Sequence, residues 1–141
     1  MEKTLKQIKA LADGNRLRVV MALSTHSELC VCQITELLQV STPTVSRHMS
    51  ILQNAGLVEN RKDSRWVYYR LSEDFPGVLL DWVKSSVSGS QIILQDKETL
   101  ETILSCPADE LCRARKQRQT SNHIDNEREY TVQPKTPEVI Q

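Results

Sequence analysis

The sequence predicts a mainly α-helical fold carrying one β-hairpin, and three observations point there. Apolar residues recur at helical spacing through most of residues 3–104, a Thr-Pro pair opens a helix in mid-chain, and a face-alternating run follows at residues 65–71.

The elements follow in order. Leu5, Ile8, Leu11 and Ala12 mark a helix over residues 3–12, which Asp13-Gly14-Asn15 ends. A second helix runs from about residue 16 to 23, with Leu17, Val20 and Met21 inward, and residues 24–29 read as a polar loop. A short third helix covers residues 31–38, with Ile34, Leu37 and Leu38 on one face. Thr42 is placed to cap the fourth helix, and Pro43 suits its first position because it lacks an N–H. That helix runs to about residue 54, where Ala55-Gly56 ends it. Val45, Met49 and Leu52 form its buried face, and Thr44, Arg47 and His48 fall elsewhere on its surface.

Residues 57–61 read as a strand, Lys62-Asp63-Ser64 as a polar tip, and residues 65–71 as the returning strand. Trp66, Tyr68 and Arg70 share one face and Val67, Tyr69 and Leu71 the other. A long helical region follows Pro76, with Val78, Leu79, Trp82, Val83 and Val87 as its stripe. It weakens around residues 85–90, continues through Ile92, Ile93, Leu100, Ile103 and Leu104, and ends at Pro107. Residues 1–105 are thus expected to form one domain, 106–118 a cysteine-containing basic extension, and 119–141 a disordered tail.

Length and composition narrow the function. A chain of 141 residues with 39% apolar content supports one core, which a chain this small often completes by dimerising. It contains no apolar run long enough for a membrane span, and its first residues are charged rather than signal-like. A cytoplasmic location is expected, and four cysteines there favour metal or redox chemistry over structural disulfides. Four glycines in all, no glycine-rich phosphate loop and no C-x-x-C argue against an enzyme, and no organic cofactor is expected.

The net charge is zero, but its distribution is uneven. Residues 41–72 carry five basic and two acidic side chains (+3), and residues 73–112 carry two basic and eight acidic ones (−6). A basic centre beside an acidic flank fits DNA contact confined to one surface. Two short helices, a tight connection, a capped third element and a hairpin make a winged helix-turn-helix. Its recognition helix offers Thr42, Thr44, Ser46, Arg47 and His48 to the major groove, and its wing offers Arg61, Lys62, Ser64 and Arg65 to the backbone or minor groove.

Several segments together closely resemble the ArsR/SmtB family of metalloregulatory repressors. They are Leu11-Ala12-Asp13-Gly14-Asn15-Arg16-Leu17-Arg18, Glu28-Leu29-Cys30-Val31-Cys32, Thr44-Val45-Ser46-Arg47-His48-Met49-Ser50-Ile51-Leu52, Ala55-Gly56-Leu57-Val58 and Arg65-Trp66-Val67-Tyr68-Tyr69-Arg70-Leu71. The resemblance covers about residues 5–105. It implies a homodimer joined through the first and last long helices, which reads a pseudo-palindromic operator in double-stranded DNA and releases it on binding an effector.

Cys30 and Cys32 suggest that effector. Residues two apart point to opposite sides of a helix but share a side of an extended chain. Both thiols therefore reach one ion only where the backbone is non-helical or becomes so. Soft thiolates select soft ions, which leaves arsenite, antimonite, Cd(II) and Pb(II) open. The resemblance is nearest the arsenic-responsive branch and implies arsenite or antimonite as the inducer, with Cd(II) or Pb(II) as the alternative. Within the family, the arsenite-responsive branch supplies a third cysteine shortly after the C-x-C, and this chain does not. Cys106 and Cys112 are the candidates to complete the site, from the same chain or across a dimer. They also fit a second site or a bystander role. Thiol oxidation that releases DNA is a further alternative.

Overall fold

The computed structural model describes residues 1–107 together with Glu110 and Leu111. The helices are α1 (Glu2–Leu11), α2 (Gly14–Thr25), α3 (Val31–Leu38), α4 (Thr42–Asn54), α5 (Gly77–Val87) and α6 (Gln91–Leu104). The strands are β1 (Leu29–Cys30), β2 (Val58–Asp63) and β3 (Trp66–Leu71).

Small polar residues open α2 and α4 by satisfying free N–H groups. The Asp13 carboxylate accepts from the Arg16 N–H at 3.1 Å and opens α2. Ser41, not Thr42, caps α4: its hydroxyl accepts from the Thr44 N–H at 3.4 Å. Thr42 is therefore already helical, and Pro43 sits one position deeper than expected, still inside the turn where a missing N–H is tolerated. The turn between α3 and α4 is made by Gln39 in the left-handed region (φ 55°), whose N–H reaches the Thr35 carbonyl at 2.9 Å. Val19, Val20, Leu29, Ile34, Val45, Met49, Leu52 and Leu57 are fully buried, so α2, α3, α4 and the root of the hairpin share one core. Each such side chain contributes about 1.5–3 kcal/mol on burial.

Two features of the sheet depart from expectation. The stretch expected as a loop at residues 24–29 instead extends α2 to Thr25 and then forms β1, giving a three-stranded antiparallel sheet of order β1-β3-β2. In it Leu29 pairs with Tyr69 and Cys30 with Tyr68. A two-residue strand has no periodicity to read, and it exists because the free edge of β3 accepts it. The hairpin is also tighter than expected: Asp63 pairs with Trp66, leaving Ser64-Arg65 as the whole connection.

Two-residue connections require positive φ, and Ser64 supplies it at 56° without being glycine. Left-handed backbone costs an L-residue about 1–2 kcal/mol, and glycine's extra freedom in the unfolded chain takes back about half of that. Ser64→Gly is therefore expected to raise unfolding stability by about 0.5 kcal/mol in urea titration; a loss would show that the hydroxyl outweighs the backbone.

The region after Pro76 is two helices, broken at Ser88-Gly89-Ser90. α6 turns Ile93, Leu100 and Ile103 into the core against α2 and α3. It is locked there by Arg18, whose Nε and Nη2 bind Asp96 Oδ2 and Oδ1 at 2.9 Å each. Nη2 also reaches the Leu37 carbonyl at 3.1 Å, and Nη1 reaches Asn15 Oδ1 at 3.2 Å. By contrast α1 leaves Leu5 and Ile8 exposed, and α5 leaves Val78 and Trp82 exposed at 86% and 65%. Ile92 and Leu94, early in α6, are also about half exposed.

Candidate nucleic-acid interface and cysteine site

The candidate groove-reading surface is α4. Its inward face is Val45, His48, Met49 and Leu52, and Thr42, Ser46, Arg47 and Ser50 point outward. Thr44 is half-buried, with its hydroxyl 2.8 Å from that of Ser41.

His48 corrects the expectation of an exposed ring. It is only 9% exposed, and its Nδ1 lies 3.2 Å from Arg16 Nη1 and 3.9 Å from Asp13 Oδ1. Position 48 is three residues after Val45 and four before Leu52, so helix geometry places it on the core face whatever its polarity. The partial burial of Asp13 pushes its pKa up. The Arg16 N–H and the Arg16 charge outweigh that and hold it below the usual carboxylate range.

At the wing, Lys62, Ser64 and Arg65 are exposed near the tip, and the Arg65 guanidinium lies 5.2 Å from the Trp66 ring centroid. Arg61 is otherwise engaged. Its Nε donates to Glu28 Oε2 at 2.9 Å, its Nη2 donates to Glu28 Oε1, and its guanidinium lies 4.5 Å from the Tyr68 ring centroid. That hydrogen bond holds the Glu28 pKa low. Arg70 is similarly held by Glu59 at 2.9 Å. Glu28 and Asp13 both titrate lower folded than unfolded. The stability each contributes is present at neutral pH and is lost as pH falls through its folded pKa. The Glu28–Arg61 clasp, 33 residues apart in sequence, left no local signal to find it by.

A cation that meets a phosphate releases about one counterion. Lys62→Ala and Arg65→Ala are each expected to lower the salt slope of DNA binding by about one, and Arg61→Ala by clearly less. Titration of each variant at several salt concentrations checks this, and an equal effect at Arg61 would mean that DNA displaces Glu28.

The C-x-C straddles a change of backbone. Cys30 ends β1 in an extended conformation (φ −81°, ψ 160°) and occupies the N-cap of α3, where its N–H donates to Gln33 Oε1 at 2.9 Å. Serine, threonine, aspartate or asparagine would be the stronger cap in that position. Cys30 is buried with a free thiol, and Cys106 just beyond α6 is free and exposed. Cys32, half-buried in the first turn of α3, is disulfide-bonded. Cys112 lies outside the described residues, as do the expected basic run at 113–118 and the tail. Among the described residues, no three His, Cys, Asp or Glu side chains are grouped to hold an ion. The fold thus brings Cys30 and Cys32 to one strand–helix junction and does not gather Cys106 into a three-donor group with them.

The family described as bacterial regulatory protein, arsR family, matches residues 13–60. The arsenic resistance transcriptional regulator ArsR1 of Pseudomonas putida is 40% identical over 81 residues, covering 57% of this chain and 60% of that protein. ArsR2 of the same organism is 32% identical over 88 residues, covering 62% of this chain and 76% of that protein. A cadmium resistance regulatory protein CadC homolog from Staphylococcus aureus is 39% identical over 69 residues, covering 49% of this chain and 57% of that protein. The chain thus spans about 60% of the length of ArsR1 and of the CadC homolog. Among solved structures, HlyU from Vibrio cholerae matches with TM-score 0.56 at 28% identity, over 62% of this chain and 94% of that one. A homodimeric winged helix-turn-helix domain from Mycobacterium bovis matches with TM-score 0.56 at 28% identity, over 62% of this chain and 80% of that one.

Proposed function

This chain belongs to the bacterial arsR family of regulatory proteins, and on that premise we propose that it is a metalloid-responsive transcriptional repressor. In this reading it binds operator DNA as a homodimer in the cytoplasm and is released when cysteine thiolates take up trivalent arsenic or antimony. No helix among the described residues is long and apolar enough to cross a membrane. The exposed apolar residues of α1 and α5 supply a surface for a second copy.

The observation that carries the effector reading is the position of Cys30. A free, buried thiol stands where a hydroxyl would cap better, at the entry to the first helix of the helix-turn-helix. Bringing the Cys30 and Cys32 thiolates onto one ion would redraw the first turn of α3, and α3 packs on α4. A ligand that prefers the redrawn turn shifts the population away from the DNA-bound arrangement. Once reduced, Cys32 offers the second thiolate, and Cys106 or Cys112 the third. The names of the relatives leave arsenic and cadmium as the two effector classes to separate.

One observation favours a second reading. Cys32 is disulfide-bonded, which makes it the thiol to test for oxidation-driven release. The test is fluorescence anisotropy on a duplex selected by the protein from a random pool. In metal-free reducing buffer it is titrated separately with arsenite, antimonite, Cd(II) and Pb(II), and in parallel without reductant with peroxide. Release by the trivalent metalloids supports the proposal. Release mainly by Cd(II) or Pb(II) moves it to the cadmium class, and release by peroxide alone replaces it with the redox reading.

A further inference from the structure

His48 is a buried histidine on the helix proposed to read DNA, and the function above gives it no task. Its surroundings are specific. Arg16 Nε donates to the Ala10 carbonyl at 2.6 Å and Nη2 to that of Lys9 at 3.5 Å, so the guanidinium closes the C-terminal end of α1. Asp13 fixes the same residue from below through its N–H at 3.1 Å. The remaining arm, Nη1, meets His48 Nδ1 at 3.2 Å. A guanidinium donates and never accepts, so in this hydrogen bond Nδ1 is the acceptor. One hydrogen bond from a doubly anchored arginine thus reaches across the α1–α2 junction to the middle of α4.

The other inward side chains of α4 are Val45, Met49 and Leu52. Apolar contacts hold a helix down but are non-directional, and they tolerate small rotations about its axis. A hydrogen bond to a fixed donor does not. Direct contacts to base edges require side chains held to within about 0.5 Å and 10–20°. Arg47 is the immediate sequence neighbour of His48, so whatever sets the rotation at position 48 sets the direction in which Arg47 leaves the helix.

We propose that His48 is a positioning residue for DNA recognition: by accepting from Arg16 it fixes the rotation of α4 so that Ser46 and Arg47 meet the groove, and it makes no contact with DNA itself. The inference rests on the reading that α4 binds operator DNA.

The test uses the full chain, the duplex selected by the wild type, and an unrelated duplex of the same length. His48→Leu fills the site and removes the acceptor. It is expected to weaken binding to the selected duplex by about tenfold or more, with binding to the unrelated duplex and the salt slope unchanged. His48→Asn keeps an acceptor near the place of Nδ1 and is expected to recover most of the affinity. If His48→Leu does not fold, Arg16→Gln weakens the same bond from the donor side, and the same selective loss is expected.

His48→Leu binding the selected duplex as tightly as the wild type overturns the inference and leaves the DNA reading standing. A salt slope lower by about one identifies a phosphate contact and also overturns it. So does a folded His48→Asn as weak as His48→Leu. A wild type that enriches no sequence overturns the DNA reading, and the inference with it.

Discussion

Cys32→Ser is expected to retain operator binding and to lose release by arsenite, with the concentration needed for release rising by more than about a hundredfold. Losing the hydrogen-bond partner of a metal ligand already costs about ten- to a hundredfold in affinity, and losing the ligand itself costs more. Serine is close in size to cysteine, but its oxygen is hard and stays protonated at neutral pH, so it does not replace a thiolate toward a soft ion. Repression survives because Cys32 is half-buried in the first turn of α3, where a small polar residue is tolerated, and because it carries none of the outward face of α4. Anisotropy with and without arsenite reads both quantities in one titration. A variant that still releases at the wild-type arsenite concentration removes Cys32 from the site. Comparing arsenite under reductant with peroxide then separates ion binding from oxidation, since the same substitution also removes the disulfide.

The helix-turn-helix and wing were legible because their signals are local. The Thr-Pro start, the Val45, Met49 and Leu52 spacing and the alternation across residues 66–71 each lie within one element, and the α3 bounds of Val31–Leu38 matched expectation. What escaped depends on partners distant in sequence. β1 exists through its pairing with Tyr68 and Tyr69, and Arg61 is claimed by Glu28. His48 was legible in angle and missed in chemistry: its spacing puts it inward, and only its polarity suggested otherwise. Its buried place requires an acceptor's partner, and Arg16, 32 residues away, supplies it. The junction of α5 and α6 was half legible, since Ser88-Gly89-Ser90 marked a weak point but not that the two halves face different surroundings. The C-x-C was legible as a motif, and its place at the β1–α3 junction was not. The neighbours of Cys30 and Cys32 depend on the tertiary fold.

Asp96→Ala is expected to lower unfolding stability by about 3 kcal/mol, which corresponds to a fall of roughly 10 °C or more in Tm. The Asp96 and Arg18 side chains are 9% and 16% exposed, so the pair is paid for in desolvation and repaid by two bonds of 2.9 Å. Removing the carboxylate leaves the guanidinium largely out of water with Leu37 O and Asn15 Oδ1 as its remaining partners. Those two acceptors keep the expected loss toward the low end of the range of about 3–5 kcal/mol for breaking a buried pair. Replacing both residues with apolar ones, Arg18→Met with Asp96→Leu, removes the unpaired charge and is expected to recover most of the stability. Thermal and urea unfolding of the two variants separate these cases, and a single-variant loss below about 1 kcal/mol would put the pair in the class of solvent-screened surface bridges. The bond to Leu37 O gives the pair a second consequence. Leu37 lies in the last turn of α3, next to its final residue Leu38, so Arg18 ties α6 to the end of α3 opposite Cys30. On the proposed mechanism, holding that end directs a change of backbone at the Cys30 end of α3 toward α4, on which α3 packs. Asp96→Ala, assayed at a temperature where it stays folded, is therefore also expected to need more inducer for the same release.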